Sequence, residues 1–562
     1  MPKREPAFES TAEAYLALLK RRGIDWLLAN AGTDFAPIIE ALVRGRKAGI
    51  AMPEAVPITH ETIAVAMAHG YYLVTGRPQA VMVHVNVGTA NALMGLINAS
   101  RDNVPMLFTS GRTPLTERGM LGSRDLPIHW GQEMFDQGGM LRELVKWDYE
   151  LREPAQLEAV VDRALAITMS EPRGPAYLSL PREVLAKPWP DSALAEEPTL
   201  KPASDPHPAP ADIEAAADIL RRAKRPLVIA GRGDAAAFAA LSHFAEQTAI
   251  PVVHFWPARM VLPTTHPLHA GFDVMPRLAE ADAVVVLDLM VPWLPSRHSL
   301  ADGCRVVQVG PDPSFSRVPM RSFPGDILVR SSVAAALTDL GAALGTAPAK
   351  KKKAIAAELA AERKRHQELV SRAPVGLATN AWVSRCLDRQ KDEDAIIFNE
   401  LGCDPSAMTF TRPDSYFGHP IAGGLGWGVP AALGAKLAQR DRLVVACVGD
   451  GSYMFANPVA CHQTAASLDL PILTIVFNNG VWNAVRKSTR SVYPKGHAAA
   501  VNDMPLSSLA PSPAYEKVAE ASGGLGIAVE DVSELEDAIA KALAAVKGGQ
   551  QALLNVRCAI GS

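Results

Sequence analysis

Two short apolar runs, separated by about the length of one helix, constrain this chain more than any other feature. Residues 443–448 (LVVACV) and 471–477 (PILTIVF) each read as a buried strand, and the Ala-rich stretch 456–468 between them reads as a crossover helix. Strands joined in this way lie parallel. Asp450, in a Gly-Asp-Gly turn, and Asn479, in Asn-Asn-Gly, then fall just past the carboxyl ends of neighbouring strands. That edge is where open α/β sheets bind ligands. A carboxylate and an amide oxygen are hard donors, suited to a Mg²⁺ or Ca²⁺ that keeps water and phosphate oxygens in its shell. Gly-Asp-Gly by itself is equally explained by the needs of a tight turn.

The same alternation of strand and helix runs through the rest of the chain. Strands are expected at 26–30, 79–85, 105–110 and 176–180, with helices at 34–46, 61–75, 89–101 and 155–169. A proline-rich linker at 187–210 precedes a second set of strands at 226–230, 251–255, 283–287 and 305–309. The Ala/Lys/Glu-rich run 349–372 reads as a solvated connecting helix, its Lys350, Lys351, Lys352 and Lys353 a wet surface. The expected fold class is α/β, with three doubly wound parallel-sheet domains at 1–190, 205–345 and 375–562 and no transparent internal repeat. A length of 562 residues exceeds what one core supports.

Charge is balanced, 56 Lys+Arg against 59 Asp+Glu, which argues against nucleic acid as a partner. The opening MPKREPAFES has no apolar h-region, and no apolar run is long enough for a membrane span. Cys304, Cys386, Cys403, Cys447, Cys461 and Cys558 show no paired spacing. A soluble cytoplasmic protein is expected.

Taken together, Gly-Asp-Gly-Ser, the intervening helix, the strand and Asn-Asn-Gly resemble the thiamine diphosphate (ThDP) fingerprint of the pyruvate decarboxylase, acetolactate synthase and benzoylformate decarboxylase superfamily. GGLGWGVPAALGAKLA (423–438), ITHETIAVAMAHGYYLVTGRP (58–78) and PRGPAYLSLPREVL (172–185) are similar to further segments of that superfamily, so the resemblance spans nearly the whole chain. It implies pyrimidine-binding, middle and diphosphate-binding domains in that order. Asp450, Asn479 and the Val481 carbonyl would ligate Mg²⁺, and Gly451 and Ser452 would donate to the diphosphate. Gly402 and Cys403 would belong to the same cofactor site. The Gly423 carbonyl would accept from the 4'-amino group, and Leu425 would be the wedge that bends the cofactor. Glu61 would activate the pyrimidine, with Asn91 beside it. The spacing from Asp450 to Asn479 is about two residues longer than the superfamily pattern, which points to an altered loop at Asn457 and Pro458.

Pocket residues divide between subfamilies. His84, with Gly88-Thr89-x-Asn91 in QAVMVHVNVGTANALMG (79–95), resembles benzoylformate decarboxylase and implies a proton relay. Thr33 in NAGTDF matches a serine that contacts substrate carboxylate there, and is equally explained as a helix cap. Gln132 in IHWGQEMFDQ resembles the acetolactate synthase side. A second pocket histidine has no clear counterpart: Pro292 and Trp293 fall nearest, with His298 beyond. Ser488, His419 and Pro420 do not reproduce a phenyl-binding wall.

The leading expectation is ThDP- and Mg²⁺-dependent decarboxylation of a 2-oxo acid, with carboligation onto a second carbonyl as a further outcome. An acetolactate synthase-like transferase or acyloin lyase is the alternative. Flavin (FAD) in the middle unit rests only on the loose Gly-x-Gly at Gly231 and Gly233, and a non-catalytic ThDP-binding homologue is opposed by Glu61, Asp450 and Asn479. The resemblance further implies a homodimer or homotetramer in which Glu61 of one subunit meets Asp450 of another. Small 2-oxo acids or aldehydes are the expected partners.

Overall fold

The computed structural model describes residues 8–190 and 193–561. Residues 1–7, which carry most of the N-terminal reading, lie outside the described residues, as do 191 and 192 of the linker and the final residue.

Three parallel sheets organise the chain. The first contains β1 (Trp26–Asn30), β2 (Glu54–Pro57), β3 (Ala80–Val83), β4 (Leu107–Arg112), β5 (Asp148–Glu150) and β6 (Ala176–Pro181), in the order β2-β1-β3-β4-β6-β5. The second contains β7 (Pro226–Ala230), β8 (Val252–His254), β9 (Ala283–Leu287), β10 (Arg305–Gly310) and β11 (Ile327–Arg330), ordered β11-β10-β9-β7-β8. The third contains β12 (Ile396–Glu400), β13 (Tyr416–Gly418), β14 (Val444–Gly449), β15 (Leu473–Asn478), β16 (Leu525–Val529) and β17 (Ala552–Arg557), ordered β13-β12-β14-β15-β17-β16. The first and third sheets therefore share one winding, although no residue repeat announces it.

Central strands are almost continuously apolar and buried, as β3, β9 and β15 illustrate. Helices covering both faces of a parallel sheet demand this. Each sheet has its own core: Leu27, Met82, Leu107 and Leu178 in the first, Val228, Val285 and Val307 in the second, Ile397, Val445, Ile475 and Leu554 in the third. By compactness, residues 1–204, 420–441 and 454–470 form one unit, and 205–419, 442–453 and 471–562 form another.

Two local departures from the sequence expectation bear on function. The helix expected from residue 89 begins at Val85, directly after His84. The turn at Asp450 is itself the first residue of a helix, Asp450–Phe455. That helix stops where Asn457 adopts a left-handed conformation (φ 53°), and Pro458–Ser467 then starts anew. Proline suits a first helical turn and asparagine tolerates positive φ, so the extra length is absorbed as a break between two helices. Among the described residues no helix is long and apolar enough to cross a membrane.

Candidate active site

In the first sheet the winding reverses between β1 and β3, opening a crevice at the carboxyl edge. Thr33 and Asp34 follow β1, and His84 follows β3. Val85, the first residue of the helix Val85–Arg101, has a φ of 28°, costly for a β-branched side chain. The strained corner places His84 against Asp34. Asp34 Oδ1 lies 2.5 Å from His84 Nδ1, and Asp34 Oδ2 accepts from the Val85 N–H at 3.2 Å.

Two glycines make room for this pair. A Cβ on Gly111 would stand 1.6 Å from Asp34 Oδ2, and one on Gly32 would stand 2.1 Å from His84 Nδ1. On the other side of the ring, Gln132 Nε2 lies 3.1 Å from His84 Nε2, while the buried Gln132 Oε1 has no hydrogen-bond partner. Thr33 Oγ1 lies 3.4 Å from His129 Nε2. His129 Nδ1 accepts from the N–H groups of Asp125 and Leu126, so Nε2 carries the proton toward Thr33. Burial, reinforced by the Arg182 guanidinium, holds the His129 pKa below the usual imidazole value.

Glu61 opens the helix Glu61–Thr75, whose N-cap is His60. Its carboxylate is buried, with Oε2 accepting from Asn91 Nδ2 at 3.2 Å. A Cβ on Gly88 would stand 3.2 Å from Oε1, so glycine gives this oxygen room. Glu61 and Asn91 thus come together, as do His84 and Gln132. Gly423 and Leu425 lie on a separate loop. Their loop is pinned further along the helix Val85–Arg101, where Gly424 N donates to Asn98 Oδ1 and Asn98 Nδ2 donates to the Gly424 carbonyl. Ten residues separate Asn98 from Gly88, which is about 15 Å of helix.

The third sheet reverses between β12 and β14. Asp450 follows β14 and Asn479 follows β15, strands paired with Gly449 opposite Phe477. Asp450 Oδ1 accepts from Gly451 N at 2.9 Å and Oδ2 from Gly480 N at 2.7 Å. Burial raises the Asp450 pKa, and these N–H groups offset it in part. Asn479 Oδ1 accepts from Val481 N at 3.0 Å. A Cβ on Gly451 would stand 2.1 Å from the Trp482 ring, and Ser452 is buried beside it in sequence.

Gly402 and Cys403 shape the loop after β12 rather than offering donors. Both of their N–H groups go to Asn399 Oδ1, at 3.0 and 2.9 Å. Among the described residues no group of three His, Cys, Asp or Glu side chains could hold a metal. The donors at this edge are instead one carboxylate, one amide oxygen and the Val481 carbonyl, a set that fits a hard cation retaining water and phosphate ligands. A buried carboxylate held by two N–H groups also gains from a nearby cation.

Elsewhere the geometry is structural. Gly231 approaches the Phe255 carbonyl, so the Gly-x-Gly turn is packed against the protein's own backbone. His298 Nδ1 accepts from Leu294 N in a local turn, and Trp293 packs edge-on against Phe323. His419 is half-buried, its pKa pushed down to about 4 by desolvation, and Ser488 lies exposed on the helix Asn483–Val492.

Residues 9–140 match the N-terminal TPP binding domain of thiamine pyrophosphate enzymes, 213–340 the central domain, and 401–556 the C-terminal TPP binding domain. The chain belongs to the thiamine pyrophosphate enzyme family. Glu61, His84 and Asn91 lie within the first match, and Asp450 and Asn479 within the third.

Benzoylformate decarboxylase of Pseudomonas aeruginosa is 28% identical over 84% of this chain and 86% of its own length. Sulfoacetaldehyde acetyltransferase of Rhodobacter capsulatus is 26% identical over 97% of this chain and 94% of its own. The crystal structure of benzoylformate decarboxylase from Polynucleobacter necessarius shares the fold, with a TM-score of 0.80 at 21% identity, covering 98% of this chain and 99% of that one.

Sequence reasoning passed over Asp34, although it directly follows Thr33 in NAGTDF, and passed over His129 beside it. An acidic residue at the end of the first strand of a reversing sheet was the available signal.

Proposed function

We propose that this member of the thiamine pyrophosphate enzyme family is a lyase that decarboxylates a 2-oxo acid with thiamine diphosphate and Mg²⁺. The observation that carries the reading is the placement of His84 at the first sheet's switch point, between the buried Asp34 carboxylate and the Gln132 amide. Thiamine diphosphate supplies, when bound, a nucleophilic carbon and a sink for the electron pair left when carbon dioxide departs. Asp450, Asn479 and the Val481 carbonyl would hold the Mg²⁺, with Gly451 and Ser452 facing the diphosphate. Glu61 would share a proton with the pyrimidine ring through Oε1, since Asn91 occupies Oε2. His84 would exchange a proton with the product through Nε2, and Thr33 would orient the substrate carboxylate.

The pinning of the Gly423–Leu425 loop to Asn98 supports a site completed by a second chain. That loop meets the helix Val85–Arg101 at Met94 and Asn98, beyond Gly88 and Asn91, where Glu61 lies. We therefore assign the pyrimidine half, within 1–190, to one subunit of a homodimer or homotetramer, and the diphosphate half, within 375–562, to its partner. The middle domain spans 205–345. Six free thiols suit a reducing cytosol.

Gln132 beside His84 favours a second reading, transfer onto another carbonyl. A panel of pyruvate, branched 2-oxo acids, benzoylformate and glyoxylate, supplied with cofactor and Mg²⁺, separates the two. One aldehyde per carbon dioxide supports the decarboxylase. A 2-hydroxy ketone or acetohydroxy acid as main product supports the ligase, and no carbon dioxide from any of them counts against both.

A further inference from the structure

Resting on that decarboxylase reading, we propose that Asp34 is the positioning residue for His84: it holds the ring as the Nδ1–H tautomer, so that Nε2 alone exchanges protons with substrate and the Gln132 amide turns to follow the proton. Asp34 is nearly fully buried and each of its oxygens has one task. Oδ2 takes the Val85 N–H, which ties the carboxylate to the residue immediately after His84. Oδ1 then faces Nδ1 at 2.5 Å. An ionised carboxylate only accepts, so Nδ1 carries the proton. In the neutral ring Nε2 is left as the acceptor, and the group 3.1 Å from it must be a donor, which Gln132 Nε2 is.

That arrangement explains why Gln132 Oε1 is buried without a partner. When Nε2 takes a proton from a hydroxyl formed from the substrate's carbonyl oxygen, the N–H bond forms as the O–H bond breaks, and the resulting imidazolium keeps its Nδ1–H on Asp34. The Gln132 amide then faces a donor and turns, so the idle oxygen accepts. Returning the proton restores both groups, and Asp34 acts only as acceptor, as the orienting carboxylate of a catalytic triad does. Gly32 and Gly111 are the steric condition for this contact, because a Cβ on either would collide with the pair.

A purely structural Asp34 would only cap the strained turn at Val85, and Asp34→Asn discriminates. Asparagine has one acceptor oxygen for two donors, so keeping the Val85 contact turns its NH₂ toward Nδ1 and moves the ring proton to Nε2. Neutron diffraction of deuterium-exchanged wild-type crystals should find the deuteron on Nδ1 at neutral pH, and in D34N on Nε2 with the Gln132 amide turned. In the cofactor-loaded D34N enzyme, kcat should fall on the order of 10²-fold or more with KM changed by less than about threefold. Exchange of the cofactor's C2 proton and the affinity for thiamine diphosphate should be unchanged, since the roles proposed for them fall to Glu61 and Asp450. A deuteron on Nε2 in the wild type overturns the proposal whether or not the variant folds, as does a D34N kcat within threefold of wild type. Wild-type protein that exchanges C2 but releases no carbon dioxide would instead remove the decarboxylase reading, with the neutron result still deciding Asp34.

Discussion

Replacing Glu61 by Gln keeps the side chain's length and its place beside Asn91 but removes the ionisable proton. Glu61→Gln should retain thiamine diphosphate and slow C2 proton exchange by about 10²-fold or more, followed by deuterium incorporation into the bound cofactor. Unchanged exchange would take Glu61 out of its assigned role. Asp450→Ala should act on the opposite property: Mg²⁺-dependent retention of the cofactor, measured by calorimetry, should weaken on the order of 100-fold. Glu61, His84, Asn91, Asp450 and Asn479 stand out in the sequence because they lie inside recognisable strings. The Asp34–His84 contact was not legible, because residues 34 and 84 meet only through the non-sequential pairing of β1 with β3. Nor was the use of the Gly402 and Cys403 N–H groups by Asn399, a local side-chain bond that no spacing announces.

At the scale of elements, the helix Glu61–Thr75 reaches its position by close crossing with the helix Gly428–Ala438. A Cβ on Gly434 would stand 1.9 Å from the Met67 carbonyl oxygen, and one on Gly70 would stand 1.9 Å from that of Ala431. Backbone cannot yield as a flexible side chain can. Gly434→Ala should therefore destabilise the protein by about 1–3 kcal/mol, read by urea denaturation, and displace the helix that carries Glu61. A variant as stable as wild type would show that the crossing tolerates a methyl group.

The middle sheet offers a pH test. His254 Nε2 accepts from Val261 N, and its Nδ1 contacts His269 Nε2. Burial pushes the His254 pKa down to about 3 and that of His269 well below its usual value of 6.5. The unfolded chain thus binds more protons below pH 6.5, and stability should fall from there toward pH 3 by about 1.4 kcal/mol per pH unit from His254, with His269 adding in the same direction. His254→Gln should flatten that slope in urea melts; an unaltered slope would assign acid sensitivity elsewhere. Strand positions were largely legible because buried parallel strands read as apolar runs. The shared winding of the first and third sheets was not, since topology leaves no residue-level repeat.

For the molecule as a whole, we propose two half-sites, one at each sheet reversal, that close on one cofactor when two chains meet. Length and apolar patterning made the three-domain α/β architecture legible, whereas pairing between chains leaves no such pattern. Co-expression of Glu61→Gln with Asp450→Ala tests this directly. Each variant alone should be nearly inactive, yet a mixed dimer would contain one site built from the Glu61 of one chain and the Asp450 of the other. Random pairing predicts recovery of about a quarter of wild-type activity, measured as carbon dioxide released per subunit. Recovery near that value bears out a thiamine diphosphate site shared between chains; no recovery from a preparation shown by differential tags to contain mixed dimers would contradict it.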